Sequence, residues 1–372
     1  MFSKPINLIL VYLVTLVNLV IVALPLVVIA LPFIDFNSAG LGSDEVYFKL
    51  KFSIFLLTFL ISITMIIYLV LDYVFGFSMR YSMKGCKRFE KFKDYDFLSD
   101  LLTQIQYKFN QKNIKLYIKQ TDKINAYAVS SLRSKVIVLT EGLINHYLVS
   151  CKDPKTTLNA IRSIMAHETS HLIHKDFLPC FLIIINQKIT NFFARIIHVT
   201  LWFFAKVTHF IPLIGFVIYR SIMLIYKIFN FVISAFDKVV VYNVYEFIRR
   251  IISRSIEYRC DRQSAQAFGG DNMAFALSHL DSGGYISLFS THPLTKSRIE
   301  KVKDIKISNN KIRPNLLDRI SNNIALFLLL LISIYFGYLA NIEEVIKYLL
   351  QDHQVIYQKL LNIKIFLLNL LR

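Results

Sequence analysis

Cysteine is scarce in this chain, and what there is does not pair. Cys86, Cys151, Cys180 and Cys260 are the only four in 372 residues, and no two stand in a CxxC spacing. That leaves no disulfide framework to read, and free thiols in a reducing compartment are the simplest state. Acidic residues are short too, with 25 Asp and Glu against 43 Lys and Arg and a net charge of +18. No nucleic-acid-binding motif accompanies the basic excess, so no DNA or RNA partner is expected. Internal repeats and low-complexity tracts are also missing.

Charge itself is missing over long stretches. Ile6 to Ile34 carries none, which is enough chain to cross a hydrocarbon core of about 30 Å. Phe52 to Phe77 is broken only by Asp72. Both read as transmembrane helices, because a buried core helix is rarely apolar all round for so long. The first apolar run is about twice the usual 7–15 residues of a signal peptide, so a retained anchor is expected. Between the two blocks, Asp35 to Leu50 holds Asp35, Asp44 and Glu45 against Lys49 alone, whereas Arg80, Lys84, Lys87, Arg88, Lys91 and Lys93 follow the second block. The positive-inside rule then puts the basic segment in the cytoplasm, where the inner leaflet is anionic. Two further helices, at 192–207 and 210–236, are expected to span the membrane or to lie on it, and a fifth uncharged block runs from Ile324 to Tyr338.

The chain between these blocks is patterned as a globular domain. Phe97, Leu101, Leu102 and Ile105 keep helical spacing, predicting an amphipathic helix over Asp96–Lys112. Strands are predicted where Ile114, Leu116 and Ile118 alternate with Lys115, Tyr117 and Lys119, and again at Asn125–Ser130 and Lys135–Thr140. Helices follow at Thr140–Leu148, after Asp153-Pro154, and over Glu246–Phe268, Asp271–Leu280 and Pro293–Asp304.

Chemistry concentrates in two short motifs. His167-Glu168-Thr169-Ser170-His171 places two imidazoles four residues apart on one helix face, where both can reach one cation. Glu168 is placed to take a proton from water without occupying a coordination site. Glu257 and Asp261 are also four apart, so Glu257 can supply a third ligand while Asp261 accepts a hydrogen bond from a ligand imidazole. Imidazole and carboxylate suit zinc, and one Zn2+ per chain is expected. His174 reads as a histidine at the helix end.

Together with Ile124 to Ala128, Val138 to Gly142, Ala166 to His171 followed by Asp176, Ser253 to Asp261, Ser264-Ala265, Ser290 to Pro293 and Arg298 to Glu300, these residues resemble the HtpX-like membrane metalloproteases. Those are relatives of the CAAX-prenyl endopeptidases within one gluzincin family. The resemblance runs from the first apolar block to about Asp304, departing at Leu294, where the family has a second proline, and at Cys260, where alanine is common. It implies a mainly α, multi-pass membrane protein with an α+β zincin-like catalytic domain and a small sheet beside the metal helix. It implies His167, His171 and Glu257 as zinc ligands, Glu168 as catalytic base, and Asn125, Ala126 and Tyr127 in an edge strand that takes substrate. His292 matches a family histidine near the active site, with oxyanion stabilisation as its expected role, and a structural turn at His292-Pro293 as the alternative; Arg298 is expected to pair with an acid such as Asp261.

The organisation expected is a helix pair over 1–78, the catalytic domain in two parts over 79–177 and 246–310, a second helical pair over 178–245, and an apolar tail over 311–372. The expected function is a stress-response quality-control endopeptidase of a bacterial inner membrane, cutting misfolded or damaged membrane proteins at the cytoplasmic face. Its partners are those substrates and the lipid bilayer; the oligomeric state is open. A CAAX-type enzyme would need seven helices around a larger chamber, and an inactive zinc-binding scaffold would not need Glu168.

Overall fold

The computed structural model describes residues 59–60, 62–151, 153–176, 215–236, 242–280 and 294–314, with isolated helical positions between 188 and 207 and between 316 and 338. The apolar block 6–34, part of 192–207, most of 324–338, and His292 lie outside the described residues. Contacts divide the chain into two units, and every element named below belongs to the one that takes in Met65–Leu326.

A helical stretch at 65–75 ends at Gly76, and a short helix, α1 (Phe77–Ser82), follows it. Asp72, the one charge in the second apolar block, is buried there: its Oδ1 accepts from the backbone N–H and the hydroxyl of Ser78, each at 2.8 Å. After α1 come β1 (Cys86–Arg88), α2 (Phe97–Lys108), β2 (Ile114–Lys119), β3 (Ala126–Ser130) and β4 (Lys135–Thr140). The four strands form one mixed sheet in the order β1-β2-β4-β3. β2 and β4 run parallel from Ile114 beside Lys135 to Lys119 beside Thr140; β1 and β3 flank them antiparallel. β3 is therefore an edge.

The alternation seen in the sequence is the alternation of burial. Ile114, Leu116 and Ile118 point into the core, and all of Val136–Leu139 is buried in the central strand. α2 lays Leu98, Leu101, Leu102 and Ile105 into the same core. It stops at Lys108, four residues short of the predicted end, because Asn110 adopts a left-handed conformation at φ 51°. β1 is absent from the sequence-based expectation.

Helix α3 (Glu141–Ser150) is capped by Thr140, whose hydroxyl accepts from the Leu143 N–H at 3.2 Å. Gly142 sits so close to the loop before β3 that a Cβ would fall 2.2 Å from the Asp122 carbonyl oxygen. Helix α4 (Pro154–His174) begins where Asp153-Pro154 predicts: the Asp153 carboxylate accepts from Thr156 N–H at 3.0 Å and proline fills the first turn. The remaining helices are α5 (Gly215–Phe236), α6 (Tyr242–Phe268), α7 (Gly270–Leu280) and α8 (Thr295–Val302). Among the described residues no helix is long and apolar enough to cross a membrane.

α4 is the hub. It packs against α6, α7, α2, α3 and the edge strand β3. Its apolar positions Ile161, Ile164, Met165 and Leu172 are buried, as the 3.6-residue period requires. Polar staples fix its register on α6, with Ser264 Oγ donating to the Ser163 carbonyl at 2.7 Å and Ser170 Oγ donating to Gln263 Oε1 at 2.7 Å.

Candidate metal centre

A cavity of about 610 Å³ opens between α4, α6 and β3, and it contains His167, Glu168, His171 and Glu257. The helical period puts His167 and His171 one turn apart, with ring centroids 4.9 Å apart and Nε2 atoms separated by 3.2 Å. Glu257 comes across from α6, its Oε2 3.4 Å from His167 Nε2 and its Oε1 3.9 Å from His171 Nε2. One donor atom from each of the three lies within 4.8 Å of the others, so the group can hold a metal ion. Glu168 is buried and faces the same cavity.

Each imidazole is backed by its own carboxylate. His167 Nδ1 stands 2.8 Å from Asp261 Oδ1, one turn beyond Glu257 on α6. His171 Nδ1 stands 3.0 Å from Asp176 Oδ2. Such partners fix which ring nitrogen is free and where it points. Arg298, from α8, donates to both oxygens of Asp261 at 2.7 Å and its Nη2 also lies 3.1 Å from Glu257 Oε2. Arg259 takes the same Asp176 oxygen that serves His171.

The sequence motif did not expose Asp176 as a functional group. It lies five residues past His171, beyond the end of α4. Lys175 takes the left-handed conformation at φ 52°, and the chain folds back so that the Asp176 N–H bonds the His171 carbonyl at 3.2 Å. Helices commonly end this way at glycine; a lysine in that place hides the signal. Cys260 completes the pocket behind His171, with Sγ 3.5 Å from Nδ1 and 3.7 Å from Asp176 Oδ2. His171, Asp176 and Cys260 also meet the spacing of a metal group, but Arg259 already occupies the Asp176 oxygen. They act as the support of His171. His174 is buried at the end of α4, with Nε2 beside the Gln263 side-chain amide.

Burial by itself drives His167 toward neutrality, yet Asp261 and Glu257 overcome that and push its pKa up to about 10. His171 is likewise raised well above the ordinary value against the effect of burial, by Cys260, Asp176 and Glu168. Burial would raise Asp261, but the Arg298 hydrogen bonds and His167 hold its carboxyl below the usual range. The formal charges explain these directions. Four carboxylates, those of Glu168, Glu257, Asp176 and Asp261, gather about the two imidazoles, and their charge favours protonated rings or a bound cation. Two imidazole nitrogens and one carboxylate, with both second nitrogens held, are a donor set that fits zinc.

Along the cavity runs the edge strand, with Asn125, Ala126 and Tyr127 in its wall and Ala128 and Ser130 beyond them. The Thr140 N–H bonds the Asn125 carbonyl at 3.1 Å, and the Ser131 N–H bonds the Ser134 carbonyl at 2.8 Å. By the period of two, Tyr127 and Val129 also turn their backbone groups to β4, and Ala126, Ala128 and Ser130 turn theirs to the open edge. Tyr127 is tied down at its tip, where the hydroxyl donates to the Ser82 carbonyl at 2.9 Å. The structure thus brings together His167, Glu168, His171, Glu257, Asp261 and the edge strand.

The sequence model of peptidase family M48 matches residues 96–306, a stretch that takes in the sheet from β2 onward, both helices of the candidate metal centre and α8. No curated protein matches the chain.

Proposed function

The chain belongs to peptidase family M48, the metallopeptidase family that includes HtpX and the CAAX-prenyl endopeptidases, and from that premise we propose a zinc-dependent endopeptidase of a bacterial inner membrane. Its catalytic face is cytoplasmic, and its substrates are misfolded or damaged membrane proteins that present extended segments. The observation that carries this reading is the convergence of His167, His171 and Glu257 in one cavity with Glu168 and the open edge of β3. The basic run after the second apolar block and the long uncharged blocks support the membrane and its inner face.

His167, His171 and Glu257 would hold the zinc, which when bound polarises a peptide carbonyl and makes a water acidic near neutral pH. Asp261 and Asp176 keep the two imidazoles facing the cavity, and Arg298 holds Asp261 and Glu257 in register with each other. A substrate segment adds to Ala126 and Ala128 through main-chain hydrogen bonds, so recognition depends on an unfolded backbone more than on side-chain identity. That suits a quality-control protease. Glu168 takes the proton of the attacking water and returns it to the leaving amine.

Glu168→Gln tests the mechanism. The variant is expected to retain one zinc per chain and to lose cleavage of an unfolded membrane protein by several orders of magnitude. Undiminished cleavage would remove Glu168 from the chemistry. Cleavage by the unmodified chain of a prenylated peptide, with none of unfolded proteins, would move the assignment to the CAAX type.

A further inference from the structure

The corner where the helical stretch 65–75 meets α1 is built onto the catalytic domain at two places. Gly76 has φ 66°, and a Cβ there would lie 3.2 Å from that of Ser131, at the tip of the β3–β4 hairpin. The Leu132 N–H donates to the Tyr73 carbonyl at 2.9 Å. On the other side, the ammonium of Lys175, the residue that ends the metal-binding helix, sits 5.7 Å from the Tyr73 ring centre. The hairpin tip and the end of α4 are thus held to one short length of chain.

That corner carries an apolar and basic surface. Leu132 at the tip is 58% exposed, and Phe75, Phe77 and Tyr81 on the helices are 52%, 56% and 82% exposed. Arg80 and Arg133 stand exposed among them. Within 65–84 and 131–134 the only acid is Asp72, which is buried and bonded to Ser78. Aromatic rings beside arginines, with no exposed carboxylate, are the chemistry of a membrane–water interface on the anionic side of a bilayer.

We propose that α1 and the β3–β4 tip form a seat on the anionic bilayer surface, and that this seat sets the open edge of β3 against the headgroups. The proposal rests on the membrane reading of the chain and refines its substrate class. Ala126, in the metal cavity, and Ser130, next to the tip, lie on the same open edge, about four residues or 13 Å apart. A segment leaving the bilayer at the tip would reach the metal by extending along that edge. The favoured substrates are chains still anchored in the same membrane.

Single-tryptophan reporters test this in proteoliposomes of anionic lipid. Trp202, the one native tryptophan, is replaced by phenylalanine, and tryptophan is placed at Ile67, Leu132 or Val149 in turn. Ile67 lies on the exposed face of the second apolar block, and Val149 is an aqueous reference at 87% exposure. Bilayers with bromine on the upper acyl chain are expected to quench the Ile67→Trp and Leu132→Trp reporters and to spare Val149→Trp. Quenching at 67 without quenching at 132 overturns the seat but leaves the chain embedded; no quenching at either overturns the membrane reading itself. A blue-shifted but unquenched reporter at 132 would mean that protein, such as a second copy of the chain, covers the tip, and would also overturn the seat. In the unlabelled enzyme, Leu132→Asp is expected to lower kcat/KM roughly tenfold for a membrane-anchored substrate and to leave a soluble unfolded substrate unchanged. Equal losses on both substrates would assign Leu132 to the stability of the hairpin alone.

Discussion

Asp176 shows how little of a metal centre lies in its ligands. Its carboxylate stands between His171 and Arg259, so it both orients an imidazole and neutralises a guanidinium. Asp176→Asn keeps the size and loses the charge. The expected result is a zinc affinity lower by roughly tenfold to a hundredfold in competition with a chelator, with the fold retained by circular dichroism. An unchanged affinity would confine Asp176 to pairing with Arg259. The same electrostatics predicts proton release on loading. In the metal-free protein His167, with a pKa raised to about 10, carries its proton at neutral pH, and the upward shift of His171 makes a second proton easier to hold on the pair. A ligating imidazole must be neutral, so zinc displaces those protons and the apparent affinity climbs with pH until the metal-free rings titrate. Calorimetry in buffers of different ionisation enthalpy should show one to two protons released per zinc at pH 7. A binding enthalpy independent of buffer would contradict the protonated state.

Among the elements, β3 is where the proposed function turns on backbone direction. Ala128 turns its N–H to the open edge and Val129 turns its N–H to β4, so proline at these adjacent positions should do different things. Ala128→Pro is expected to leave the melting temperature within a few degrees while lowering kcat/KM roughly tenfold or more, with zinc content unchanged. Val129→Pro should lower the melting temperature instead, because it breaks a ladder bond. If Ala128→Pro cleaves normally, substrate does not pair with this edge. Much of this layer was legible in the sequence: KVIVLT and the Ile114–Ile118 alternation predicted strands, Asp153-Pro154 predicted the start of α4, and the two four-residue spacings picked out His167 with His171 and Glu257 with Asp261, which meet in one cluster. The peptidase family that these motifs resemble is the one the chain belongs to. β1 was not legible, because Cys-Lys-Arg has no apolar period and is a strand only through its pairing with β2. Asp176 stands among the residues of the family resemblance, but its role beside His171 escaped, because its place depends on a left-handed lysine that no helical pattern encodes. Arg298 was read as a partner for an acid, but its second contact, to Glu257, needs a helix brought back from 41 residues farther along the chain.

For the whole molecule, the short distances across the metal centre are a constraint on topology. His167 and Glu257 are 3.4 Å apart although 90 residues separate them in sequence, and Asp176 reaches Arg259 across the same gap. Asp176 and Glu257 therefore lie on one side of any membrane the chain spans, and the stretch between them crosses it an even number of times or not at all. Beyond α8 the chain returns as a strap, with Ser308 N–H bonding the Gln266 carbonyl at 2.8 Å and Ile312 N–H bonding the Lys108 carbonyl at 2.9 Å, so α2 and α6 are laced together on that same side. In the orientation proposed above from the positive-inside rule, that side is the cytoplasmic one. Cysteine labelling tests the constraint and the orientation separately. With Cys86, Cys151 and Cys180 replaced by serine and the buried Cys260 left in place, single cysteines are introduced at Ser38, Lys155 or Lys303. An impermeant maleimide applied to spheroplasts should label the Ser38→Cys chain, and should label the Lys155→Cys and Lys303→Cys chains only after the membrane is opened. Labelling of Lys155→Cys and Lys303→Cys from opposite sides would contradict an assembled centre. If both are labelled from outside, the centre stands but the catalytic face is turned away from the cytoplasm.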